Sequence, residues 1–314
     1  MRRYLLRRTA QAAVVLFGVS VLVFSIMHLV PGDPVRLALG TRFDQDTYDA
    51  LVERAGLDQP LVVQYLDWAS SALVGDLGVS FRSGETVTAV ILERLPATVS
   101  LAVASIVVAL VIALPLGLLS AVRPRSAVDY AATVASQAGI SIPDFWLAIM
   151  AILLFAATLG WLPSGGYVPL TEDPVEWARH LVLPALTVGV VSGAVLTRFV
   201  RSSAIEALAQ DYTRTARAKG LPRRVVLQRH VLRNALVPIV TVTGIQLAYL
   251  LSGVVVVEQV FAWNGLGRLA LQAVQTRDYP VLQGAVLLFA AFFLVINLAV
   301  DLVYAVIDPR ISRS

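Results

Sequence analysis

The chain has 314 residues, 57% of them apolar and only 15% charged, with a mean hydropathy of +0.75 and a formal net charge of +4. Soluble domains carry about a quarter of their residues as charged groups, so this composition belongs to a membrane protein with several spans and excludes an added large soluble enzyme. No cysteine is present, and His28, His180 and His230 are far apart in sequence, which excludes disulfides and thiolate chemistry and argues against a histidine-based metal centre.

Arg2, Arg3, Arg7 and Arg8 precede an apolar run over 9–30. The Arg-Arg start superficially matches a twin-arginine export signal. The run is too long for a signal core, however, and no small-x-small cleavage site follows, so 1–30 is read as an N-terminal transmembrane helix that starts in the cytoplasm. Pro31-Gly32-Asp33-Pro34 ends it. Residues 31–96 are rich in acids (Asp44, Asp46, Asp49, Glu53, Asp58, Asp67, Asp76), and Tyr65, Leu66, Trp68, Ala69 and Leu73 have the spacing of one amphipathic helix. Two readings stay open for this stretch: an extracytoplasmic subdomain on the bilayer surface, or an acidic solvated loop.

Five further apolar runs cover 97–122, 127–159, 181–200, 235–257 and 281–307. As a straight helix, 127–159 would be about 50 Å long against a hydrocarbon core of ~30 Å. It contains Gly139, Pro143, Asp144 and Trp146, so it is either one kinked span or two short passes. Charge decides. With one pass, 17 of the 25 Lys and Arg residues fall on cytoplasmic segments, nine of them in 198–234; two passes would put that loop outside. The chain is therefore read as an all-α integral membrane protein with six transmembrane helices and both termini cytoplasmic. A core over 97–307 contains a cytoplasmic loop over 201–234, and 308–314 is a cytoplasmic tail.

Pro115, Pro143, Pro184 and Pro238 lie in or at the start of spans and are candidate helix hinges. The intramembrane polar residues Gln137, Asp144, Gln246, Asn297 and Asp301 form no ladder that would suggest a proton relay. Asp301 and Asp308 read as structural, with Arg310 or helix ends as partners, and Asp144 as a cap of the second half of a broken helix. No Walker A sequence, hydrolytic triad or dinucleotide fingerprint occurs, so no catalytic, cofactor or metal site is assigned, and any ATP would be hydrolysed by another chain. The cations of 198–234 have no aromatic platform and are flanked by spans, which argues against nucleic acid; some face anionic lipid. Within that loop, 211–222 reads as a short helix with Asp211 as N-cap and Gly220 and Pro222 as its stop. About eight residues are too few for stability alone in water, so the helix requires a partner.

The segment Asp211-Tyr212-Thr213-Arg214-Thr215-Ala216-Arg217-Ala218-Lys219-Gly220, with Arg229-His230-Val231-Leu232-Arg233-Asn234 after it, closely resembles the EAA-type loop of ABC importer permeases, in the version of the dipeptide, oligopeptide and nickel group. The Pro-Gly-Asp-Pro segment, Ser141–Leu147, Trp161–Tyr167, Gly265–Leu269, Arg277–Pro280 and Asp308-Pro309-Arg310 are similar to other signatures of that group, and together they place the resemblance with its B-type permease. The chain departs in lacking the motif's glutamate, where Arg214-Thr215-Ala216 stands, and in having Asn264 where many relatives have proline. The resemblance implies a MetI-like type I importer fold in a bacterial plasma membrane. It implies four kinds of partner: a second, C-type permease, two ATPase domains that bind ATP and Mg, an extracytoplasmic substrate-binding protein, and membrane lipid. It implies that 211–221 is a coupling helix docked in an ATPase groove, with Tyr212, Thr215, Ala216, Ala218, Gly220 and Leu221 as contacts and Arg214, Arg217 and Lys219 pairing with carboxylates. The expected function is uptake of di- or oligopeptides. Within the family the alternative is nickel, haem or another small solute; outside it, a membrane scaffold or signalling subunit.

Overall fold

A computed structural model of the protein describes residues 2–29, 32–40 and 43–307. Pro31, the Asp308-Pro309-Arg310 signature and the tail 308–314 lie outside the described residues. The described chain is helical throughout apart from loops and one isolated antiparallel bridge, Val79 with Thr86. Among the described residues, five helices are long and apolar enough to cross a membrane, and a bent pair makes six if it counts as one span. The chain divides into two compact units, one built from Arg2–Thr98 and Asn264–Leu294, the other from Val99–Trp263 and the chain from Val295 onward.

In the first unit, α1 (Arg2–Leu29) is followed by three short helices, α2 (Pro34–Leu39), α3 (Gln45–Ala55) and α4 (Leu61–Leu73). Asp33 starts α2: its carboxylate accepts from the backbone N–H of Val35 (2.9 Å) and Arg36 (3.0 Å), and Pro34 supplies the fixed φ suited to a first helical position. The Tyr48 hydroxyl of α3 donates to the same carboxylate. Burial pushes the Asp33 carboxyl up, but the Tyr48, Arg36 and Val35 hydrogen bonds outweigh it and leave the group below its ordinary value. Met27, Val35, Ala38, Phe81 and Tyr279 form a core, against which Leu39 of α2 and Tyr48, Leu51 and Val52 of α3 pack, so these two helices are packed structure.

The inward face of α4 matches the expected one at Tyr65, Trp68 and Ala69, which are half-buried, and differs at the two leucines. Leu66 and Leu73 are exposed, and Gln64 is the buried residue. The helix packs on α1, whose facing residues Ser20, Phe24 and His28 are polar and aromatic. Gln64 Oε1 lies 3.0 Å from His28 Nε2, Tyr65 bonds Ser20 (2.8 Å), and the Phe24 and Tyr65 rings meet edge to face. Spacing alone could not reveal that the partner surface would select glutamine.

The remainder of this unit comprises the start of α5 (Val87–Val122), α13 (Leu266–Thr276) and the start of α14 (Tyr279–Ile307). Val87, Ile91, Leu266, Leu269, Ala273 and Val281 are its second core. Thr98 Oγ1 accepts the Leu266 N–H (2.8 Å) at the start of α13. Asp278 accepts from Ser80 Oγ (2.5 Å) and the Phe81 N–H (3.2 Å), fixing the loop before α5. Burial pushes the Asp278 carboxyl above its ordinary value, against the opposing effect of those donors.

The second unit contains the rest of α5, α6 (Ala127–Ser141), α7 (Asp144–Ala151) with a π-helical extension Ile152–Thr158, and α8 (Pro174–Ala209). Between α6 and α7 the chain turns through 97°. Pro143 has no N–H to give and drives Ile142 into extended backbone (φ −80°, ψ 126°), so the helix must stop and restart. Asp144 is the first residue of α7, and its carboxylate accepts from the Phe145 N–H (2.8 Å). The other candidate hinges, Pro115, Pro184 and Pro238, lie inside helices that continue through them.

Helices α5 and α8 approach closely where a glycine on one meets a valine or the backbone of the other. A Cβ on Gly189 would lie 2.6 Å from Val108 and 2.9 Å from the Ser105 carbonyl, and one on Gly117 would lie 2.6 Å from Val200. After α8 come α9 (Asp211–Ala218), α10 (Arg223–Val225) with a π-helical stretch Val226–Leu232, α11 (Arg233–Leu251) and α12 (Val255–Val260). The span expected over 235–257 therefore ends at Leu251. Gly253, at φ +89°, takes a left-handed turn that closes the helix, and α12 is a separate element. The Trp161–Tyr167 signature packs on the chain beyond α12. Gly166 N–H donates to the Phe261 carbonyl (2.7 Å), Gly165 has no room for a Cβ against that same carbonyl, and Tyr167 meets the fully buried Trp263 edge to face.

Candidate functional site: the α9 platform

The site is built from the end of α8 outward. Gln210 takes φ −70° and ψ 152°, which breaks the long helix after Ala209 and starts α9 in a new direction. Gln210 is thus the N-cap position and makes no side-chain cap bond, whereas Asp211, expected there, is the first residue of the helix. Its charge still lies at the positive end of the helix dipole, and Arg217 lies in the last turn. At the far end the Gly220 N–H reaches the Arg217 carbonyl (2.9 Å) and the Leu221 N–H the Ala216 carbonyl (3.3 Å), with Gly220 at φ +75°. This is the left-handed stop that the Gly-Leu-Pro sequence predicts.

Two residues anchor α9 to the protein. Thr213 is fully buried, and its hydroxyl donates to the Ala207 carbonyl (2.8 Å), one of the last carbonyls of α8 and so without an intrahelical partner. Ala216, 4% exposed, enters a core with Ala121, Ala204, Ala207, Val226 and Val231. Ala216 therefore faces inward, and its place on the expected contact surface is corrected. A three-residue spacing puts 213 and 216 on one side of a helix, and the core formed by α5, α8 and the π-helical stretch takes that side. The short helix also has an intramolecular partner, which removes the need for a second protein to explain why it forms.

The opposite side is free. Tyr212, Arg214, Thr215, Arg217, Ala218, Lys219, Gly220 and Leu221 are all exposed. Arg214 approaches Asp211 at 3.6 Å, an exposed pair of little energetic weight. Arg217 and Leu221 border an open cleft of about 630 Å³ whose other wall is Ala121, Val122, Pro124, Ile205, Leu208 and Ala209. The result is a rigidly seated helix that presents one aromatic ring, small residues and three cations outward.

Sequence reasoning missed one cluster of this unit. Arg201, counted among the loop cations, lies within α8 and forks onto Asp129 of α6, with Nε–Oδ1 at 2.7 Å and Nη2–Oδ2 at 3.0 Å. Ser120 of α5 donates to the same carboxylate. The available signal was Ser126 three residues before Asp129, an N-cap pattern that starts α6.

Comparison with known proteins places the chain. The profile described as "Binding-protein-dependent transport system inner membrane component" matches residues 113–313, and that of the corresponding N-terminal region matches residues 1–102. The "Oligopeptide transport system permease protein AppB" of Bacillus subtilis is 41% identical over 99% of this chain and 100% of its own length. The "Glutathione transport system permease protein GsiC" of Escherichia coli is 42% identical over 99% of each chain. Among solved structures, an inward-facing form of the MetNI methionine ABC transporter aligns with a TM-score of 0.56 at 22% identity, covering 70% of this chain and 96% of that one, and so shares the fold. With both profiles and full-length relatives in agreement, the chain belongs to the family of binding-protein-dependent transport system inner membrane components.

Proposed function

We propose that the chain is one permease half of an ATP-driven importer of di- or oligopeptides in a bacterial plasma membrane, and that α9 is the helix through which ATPase subunits move it. The observation that carries this reading is the division of α9 into a buried face that fixes it to α8 and an exposed basic face of Tyr212, Arg214, Thr215, Arg217, Ala218, Lys219, Gly220 and Leu221. A joint needs both a firm seat and a free surface. On this reading the end bearing α9 and both termini are cytoplasmic, as the distribution of Lys and Arg supports. ATP and Mg belong to two ATPase domains, a C-type permease completes the pathway, and an extracytoplasmic binding protein delivers the solute. The peptide substrate is supported by the full-length relatives, one named for oligopeptide and one for glutathione transport. ATP-driven closure of the ATPases would push on α9 and shift the spans between two states.

The test is co-purification and uptake with the complete complex. Reversing the exposed charges in Arg217→Glu/Lys219→Glu should leave the permease inserted but reduce both ATPase recovery and vesicle uptake about tenfold or more. Wild-type ATPase recovery and uptake would overturn the coupling role. A panel of peptides, nickel complexes and haem offered to the binding protein and then to the loaded complex identifies the solute.

A further inference from the structure

We propose that Asp129, Arg201 and Ser120 form a positioning bridge that transmits movement of α9 into α6, and through the bend at Pro143 into α7. The proposal rests on the coupling reading of α9 and adds a second route by which that helix drives the membrane segments.

The geometry is that of a fixed joint. Asp129 is buried, and its carboxylate is met by four donors: Ser120 Oγ and Arg201 Nε on one oxygen, Arg201 Nη2 and the Arg125 N–H (2.8 Å) on the other. These donors come from the last turn of α5, the α5–α6 turn and α8. Arg201 Nε also lies 3.1 Å from Ser120 Oγ, so the three side chains close a ring. The fork constrains distance and angle together, which a single hydrogen bond or an apolar contact does not.

Position gives the joint its direction. Arg201 lies on the same unbroken helix as Ala207, whose carbonyl holds Thr213 of α9. One rigid helical stretch of about 10 Å therefore separates the anchor of α9 from the bridge. Asp129 lies in the first turn of α6, capped by Ser126. Farther along, α6 meets α8 again where Gly139 leaves no room for a Cβ against Ala194 (2.7 Å). That second contact is apolar and small, and is made by packing alone. An ion pair between the two helices, buried on the Asp129 side and about one-third exposed on the Arg201 side, fixes registry, since apolar packing of equal volume supplies stability at least as well. Arginine cannot shed its charge, and opening the pair would take the charged partner from a buried carboxylate, leaving it only the Ser120 hydroxyl and the Arg125 N–H, while the guanidinium, about one-third exposed, would turn to solvent. The bridge accordingly stays closed as α8 moves, and α6 follows.

The experiment uses the full complex of both permeases, ATPases and binding protein in vesicles, and measures solute moved per ATP hydrolysed. Asp129→Asn and Arg201→Gln should lower this ratio about fivefold or more, with ATPase subunits still co-purifying and basal hydrolysis kept. Arg201→Lys, which keeps the charge and loses the fork, should fall between, and Ser120→Ala should show a smaller loss. A wild-type ratio in Asp129→Asn overturns the bridge while leaving α9 as the coupling helix. Failure of the wild-type complex to retain ATPase through α9 overturns the coupling reading instead. If the variants only lower the yield of assembled complex while the ratio in what remains is unchanged, or if none of them assembles, the cluster is a structural pin and the proposal fails.

Discussion

Thr213→Val tests how α9 is held. The valine fills nearly the same volume, so packing in the alanine-lined core is kept and only the hydroxyl is lost. That hydroxyl is fully buried and donates to the Ala207 carbonyl at 2.8 Å. Removing a hydrogen bond of this kind costs about 1 kcal/mol, and an acceptor left unpaired in a buried site costs about 1–3 kcal/mol. Ala207 is within the last turn of α8, so water can recover part of its carbonyl once α9 lifts, and the lower end of the range applies. A local loss of about 1–2 kcal/mol multiplies the open population of the helix roughly 5–30-fold. Hydrogen exchange on the protein in nanodiscs reads this directly: the amides of Thr215–Ala218 should lose protection by that factor, while those of α8 around Gly189 should not change. Thr213→Ser keeps the donor and should behave as wild type. Equal exchange in Thr213→Val and wild type would mean that the alanine core alone seats the helix, and the anchoring role of Thr213 would be wrong.

Other outcomes follow from the packing and charge of the two units. Gly189→Val should lower thermal stability in detergent by about 1–3 kcal/mol, because its Cβ meets the Ser105 backbone and Val108 together; an unchanged melting temperature would refute the close approach of α5 and α8. For Asp278, burial places the folded pKa above the unfolded one, so the folded state binds the extra proton. Its contribution is complete below the ordinary carboxylate value of 3.8 and is lost as pH rises through the folded value. Wild-type stability should thus decline more than that of Asp278→Asn as the pH rises from about 4 toward neutrality, measured by thermal unfolding across that range. Equal slopes would show that the group does not titrate differently on folding. Trp263→Ala should cost about 3–5 kcal/mol, since the ring is fully buried and supports Tyr167; a loss below about 1 kcal/mol would show that this core collapses to fill the space.

Much of the fold is legible in the residues, for reasons that can be named. Length and apolarity of the runs locate the spans because lipid leaves the backbone no partner except itself. Pro143 marks the break between α6 and α7, and Gly220 marks the end of α9, because each acts on its own backbone. Where the outcome depends on a neighbour, local pattern misleads. The apolar run through Val257 hides the stop at Gly253, and the leucines of α4 hide the buried Gln64.

The same division holds at the candidate site. The sequence by itself determined that 211–222 would hold a short basic helix with a glycine stop, since the stop and the charge are local properties, although the N-cap fell one residue before the expected Asp211. Only the tertiary structure decided which face of it is free. Ala216 reads as a contact residue when smallness is taken to mean close approach by a partner, and it is close approach, but by the alanines of the same chain. Arg201 likewise reads as one more loop cation until the fold brings Asp129 to it from 72 residues away. A carboxylate and a guanidinium that distant carry no pairwise signal in one sequence. Their pairing exists because α6 and α8 are small enough along one side to lie together, and because a buried charge has to be met by another.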